Sequence, residues 1–130
     1  MTALLITVDT ELSASLHQRG LSLEENLRRS IHAETEAGAY GIGWQMDLLD
    51  RHGLKGVFFL DPLPALVHGA DFLTPIVGQI VGRGHEVQLH IHTEWLAWAR
   101  ESPVEGRQGR NIGDFVLAAF VGAQDRALEA

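Results

Sequence analysis

Two short clusters hold the residues with chemical potential. Asp9, Thr10 and Glu11 end the first apolar run, and His90, His92 and Glu94 lie in EVQLHIHTEW, residues 86–95. Side chains at i and i+2 of a strand share a face. Asp9 therefore pairs with Glu11, and His90 with His92, where the strands stay extended. Brought to one rim, these groups suit a divalent transition metal such as zinc, which takes His nitrogen and carboxylate oxygen at about 2.0–2.2 Å. A catalytic site keeps one position for water, and a neighbouring carboxylate can take that water's proton.

Ordinary roles compete with this reading. A lone histidine at a strand end is usually a hydrogen-bonded core or rim residue. Two at i, i+2 with a carboxylate two residues on make a better metal candidate. The acidic pair is not specific alone, because Asp9 or Thr10 also suits a turn cap. Asp61 before Pro62 reads as a helix N-cap. His52 suits a last helical turn, where the macrodipole favours a cation. His17, His32 and His68 have no supporting neighbours and read as surface residues. His85 opens its strand, away from the rim. Trp95 and Trp98 follow the site; core packing is one role, given how much area tryptophan buries, and a stacking wall for a sugar ring is the other.

The elements that must position these groups alternate between strands and helices. ALLITV is a continuous apolar run suited to a strand covered on both faces. Ser22 and Glu25 form a capping box for a helix with Leu23, Leu27 and Ile31 on one face, ended by Gly38 and Gly41. A second helix runs from about Ile42 to His52, with Trp44, Met46 and Leu49 as core contacts and Gly53 as its C′ residue. KGVFFLDP contains the next strand. Thr74 and Pro75 start a helix whose buried stripe is Ile76, Val77, Ile80 and Val81. EVQLHIH is the third strand, and TEWLAWARE a short helix after it. Residues 102–114 read as a loop, with Asp114 capping a last helix. Strands are expected near residues 3–9, 55–60 and 86–91, parallel and in one sheet, in a single domain over residues 1–130 of α/β class. In such folds chemistry collects at the carboxyl ends of the strands.

Composition narrows the function classes. The chain has 130 residues, a formal net charge of −7 and no cysteine. The scattered basic residues argue against a nucleic-acid partner, and the missing cysteines remove disulfides and thiolate metal sites. No apolar run approaches the roughly 20 residues needed to span a bilayer, and MTALLITVDTE lacks the basic start of a signal peptide. A soluble cytoplasmic protein with no membrane association is the expectation.

TVDTE after an N-terminal apolar strand, together with GHEVQLHIHTEW, resembles the polysaccharide deacetylase family, the NodB-type homology domain of carbohydrate esterase family 4. The resemblance spans most of residues 3–95, the first half of the family domain. It implies a partial (β/α) barrel and a metal-dependent hydrolase acting on C–N (amide) bonds of N-acetylated carbohydrate-like or small amide substrates, with zinc as cofactor. Asp9 falls on the family's general base. Thr10 stands where a ligand aspartate is usual, and Glu11 is the substitute beside it. His90 falls on the first metal histidine, Glu94 on the second, and His92 is an additional imidazole. The implied metal set is thus Glu11, His90, His92 and Glu94, with Trp95 against the substrate. The family's later motifs, with its general acid, are not found in this chain. That implies a homo-oligomer, or completion by a carboxyl-terminal half. The alternative is a non-catalytic fragment that binds metal, carbohydrate or an assembly partner.

Overall fold

The apolar run ALLITV becomes a strand only near its polar end. In the computed structural model, which describes residues 3–100, β1 spans Thr7–Thr10, shorter and later than the expected strand. Leu4 and Leu5 are 83% and 71% exposed, so the start of the run is not covered. A short helix, α1 (Ala14–Gln18), follows. Then comes α2 (Leu23–Asn26), whose path continues as a π-helical turn over Leu27–Ile31. The expected capping box is present: Ser22 Oγ accepts from the Glu25 N–H, and the Glu25 carboxylate accepts from the Ser22 N–H.

The helical path stops at Ile31, well before Gly38. Residues beyond it form a small antiparallel hairpin of β2 (Glu34–Thr35) and β3 (Gly38–Ala39). The chain then returns against the end of the helical segment. A Cβ on Gly41 would stand 2.0 Å from the Ile31 carbonyl oxygen, so only glycine permits this approach.

α3 (Ile42–Arg51) matches expectation and buries Ile42, Met46 and Leu49. Trp44 does not join them. It lies two residues from both Ile42 and Met46, about 200° around a helix of 3.6 residues per turn, and is 42% exposed. Gly53, at φ +64°, ends the helix region in the left-handed conformation.

β4 (Val57–Leu60) is followed by α4 (Ala65–His68), α5 (Leu73–Gly82), β5 (Glu86–Leu89) and a 3₁₀ turn over Thr93–Ala97. α5 begins one residue before Thr74, which leaves Pro75 in its first turn, where its missing N–H is harmless. Ile76 and Ile80 are buried and Val77 is partly so, but Val81 is 55% exposed. The expected loop over 102–114 and the helix capped by Asp114 lie outside the described residues.

The three main strands form one sheet in the order β1-β4-β5, with both pairs parallel. The register aligns Val8 with Phe58 and Val87, and Thr10 with Leu60 and Leu89. These rows face the core, where Phe58, Met46, Ile80, Leu63 and Leu96 are fully buried. The intervening rows carry Thr7, Asp9, Glu86 and Gln88, all exposed. Among the described residues the helices therefore cover one face of the sheet, not two. The three strands do not close into a barrel.

The amino end of the sheet is tied by charge. Arg83 reaches Asp47 and Asp50, and Lys55 reaches Asp50 and the Arg83 carbonyl. His85 is buried at this end, where its Nδ1 accepts the Gly56 N–H at 3.2 Å. It lies away from the rim, as its place in the strand requires.

Candidate metal centre

The parallel ladder continues one step past the strands. The Asp61 N–H donates to the Thr10 carbonyl at 3.2 Å, and the His90 N–H donates to the Leu60 carbonyl at 2.9 Å. Thr10, Leu60 and Leu89 are in register, so the next row is Glu11, Asp61 and His90. Strand pairing alone thus brings two carboxyl groups and an imidazole to the carboxyl rim.

His92 joins them two residues further along. Glu11 Oε2 lies 3.1 Å from His90 Nε2 and 2.6 Å from His92 Nε2, and the two Nε2 atoms are 2.9 Å apart. All three side chains are partly buried. Ligand atoms on a tetrahedral zinc with bonds near 2.0–2.1 Å stand about 3.3 Å apart, within a few tenths of an ångström to about 0.7 Å of this triangle. Glu11 Oε2 is buried and faces the two Nε2 atoms. Two imidazole nitrogens and a carboxylate oxygen that converge on one point fit a divalent cation. The group Glu11, His90 and His92 could hold a metal ion.

Glu94, expected as a further ligand, stands outside that group. Its Oε2 is 3.4 Å from His92 Nδ1, at the other nitrogen of the ring. A carboxylate in this position favours the Nδ1–H tautomer and leaves the Nε2 lone pair free. Asp9 lines a cleft of about 440 Å³ together with Glu11, Ser13, Ser15, Ser30, His92, Glu94 and Trp95. Asn26, 1% exposed, fixes part of this serine-lined wall. Asn26 Oδ1 accepts from the Ser13 N–H and Ser30 Oγ, and its Nδ2 donates to the Ser13 carbonyl.

Trp95 touches the cleft but is 0% exposed. Its ring packs in the core cluster and has no open face on which a sugar could stack. His17 and His68, expected as isolated surface residues, pack around it. The His17 ring lies 5.2 Å from both His68 and Trp95 and 4.9 Å from Trp98. Burial lowers the His68 pKa below the usual imidazole value, and His17 adds to the shift.

Asp61 is the residue that sequence reasoning missed as part of this site. It is not the expected helix N-cap, because α4 begins only at Ala65; it caps a turn instead, with Oδ1 accepting the Leu63 N–H at 3.0 Å. It is also 1% exposed, and Oδ2 is buried without a hydrogen-bond partner among the described residues. Burial pushes its carboxyl up to about 7. The sequence showed only its place at a strand end; its row with Glu11 and His90 comes from the register.

No family model, curated protein or solved structure matches this chain. The described structure carries an α/β unit with a three-stranded parallel sheet and a three-donor group at its rim. No helix among the described residues is long and apolar enough to cross a membrane.

Proposed function

We propose that the chain carries the metal centre of a hydrolase of the polysaccharide-deacetylase type. It cleaves amide C–N bonds in N-acetylated carbohydrate-like or small amide substrates, with zinc as its ion. The observation that supports this most is the convergence of Glu11 Oε2, His90 Nε2 and His92 Nε2 within 3.1 Å of one another, on a cleft that also holds Asp9. The N₂O donor set is one that zinc accepts.

Glu11, His90 and His92 would hold the ion, and a divalent cation there would acidify water and polarise a carbonyl oxygen. Asp9, exposed on the cleft wall, accepts the proton of the attacking water as general base. Glu94 keeps His92 in the ligating tautomer. Ser13, Ser15 and Ser30 offer hydroxyl partners to a polar substrate along the cleft.

The test is acetate release from N-acetylglucosamine oligomers by the zinc-loaded protein, alone and with any carboxyl-terminal partner domain. The expected result is turnover that Asp9→Asn reduces by about 10²–10⁴-fold, the range of general acid–base assistance. Turnover that survives Asp9→Asn, or zinc binding with no turnover in any assembly, overturns the proposal. The second outcome leaves a metal-binding module.

A further inference from the structure

Asp61 is a buried carboxyl that the proposed chemistry does not use. It sits in the middle position of the row Glu11, Asp61, His90, on the central strand's extension. One oxygen is anchored by the Leu63 N–H, and the other is buried with no partner among the described residues. An unpaired buried carboxylate is costly unless a positive charge stands nearby.

The neighbouring donor group supplies a reason for such a charge. Two neutral imidazoles and one Glu11 carboxylate leave a divalent ion with an unbalanced positive charge. A second carboxylate in the adjacent layer neutralises it. Asp61 is not in the group whose ligand atoms converge, so it acts beside the ligands and not as one of them.

We propose that Asp61 is a positioning residue of the metal centre, whose buried carboxylate supplies the second negative charge when an ion is bound at Glu11, His90 and His92. This inference rests on the metal reading of Glu11, His90 and His92. The role is one of outer-layer support, of the kind whose loss commonly lowers metal affinity by about 10–100-fold.

The experiment measures zinc affinity of the full chain by chelator competition, for the wild type, Asp61→Asn and His90→Ala. Cobalt absorption in the ligand-field region and melting of the metal-free proteins accompany it. Asparagine keeps an acceptor for the Leu63 N–H and removes the charge, with an amide NH₂ in place of the second oxygen. The expected result for Asp61→Asn is zinc affinity about 10–100-fold weaker, with the bound cobalt spectrum and the metal-free melting temperature near wild type. Wild-type affinity in Asp61→Asn, with loss in His90→Ala, overturns this proposal and leaves the metal site standing. An affinity loss that tracks a large fall in melting temperature makes Asp61 merely structural and also overturns it. A cobalt spectrum altered as by ligand loss makes Asp61 a ligand and overturns the outer-layer role. Unchanged affinity in His90→Ala overturns the metal reading itself, and this proposal with it.

Discussion

His92 Nε2 lies 2.6 Å from Glu11 Oε2, which joins the chain beyond β5 to the chain beyond β1. In the sheet these strands are not neighbours, because β4 stands between them. Their approach therefore depends on the register of both strand pairs at once. A slip of one residue in either pair would turn one of Glu11 and His90 to the other face and part them.

Removing a ligand should be felt more than removing support. Glu11→Gln and His90→Ala should each weaken zinc binding by more than about 100-fold, beyond the range of outer-shell changes. His85→Ala, at the other end of the sheet, should leave zinc affinity unchanged even if it lowers stability. Calorimetric titration of the three variants decides this, and equal losses in His90→Ala and His85→Ala would mean adventitious binding.

Glu94→Gln should weaken zinc binding by about 10-fold, at the lower end of outer-shell effects. Chelator competition measures it, and wild-type affinity in Glu94→Gln would remove Glu94 from its orienting role.

Asn26→Ala should destabilise the fold by about 2–3 kcal/mol, since it strands buried groups that Asn26 now satisfies. Denaturant unfolding measures it. A change below about 0.5 kcal/mol, the range of an ordinary surface substitution, would show that Asn26 does not hold the wall together.

Stability should fall on acidification through the histidine range. His68 has a folded-state pKa below its ordinary value because of burial and His17. The unfolded chain therefore binds more protons once the pH drops below about 6.5. The His68 contribution is fully present above that value and is lost as the pH falls towards the lowered folded value. Melting temperature against pH should show a slope there that His68→Gln reduces. An unchanged slope would assign the acid sensitivity elsewhere.

Much of the site was legible because it depends on local pattern. Two unalternating apolar runs and EVQLHIH marked the strands, and the polar residues at their ends marked the rim. The extended-chain rule placed His90 and His92 together. It failed for Glu94 because the backbone turns into a 3₁₀ path at Thr93, so i+2 alternation no longer applies. The hairpin at residues 34–39 was hidden because strands of two residues show no periodicity. Leu4 and Leu5 look like strand core in sequence but have no covering element among the described residues. Asp61 and the pair His17 and His68 gain their meaning from register and tertiary packing, which no single segment carries.

The strand order also bears on how the site is assembled in time. The β4–β5 pairing closes a much shorter stretch of chain than the β1–β4 pairing, and longer closures lose more chain entropy before any contact rewards them. The β4–α5–β5 unit should therefore zip first, bringing Asp61 and His90 side by side. Glu11 arrives only when β1 docks on the free edge of β4. The last strand to join is then the one that completes the donor triangle, so pulse-labelled hydrogen exchange should protect β5 before β1, and zinc should accelerate only the later step.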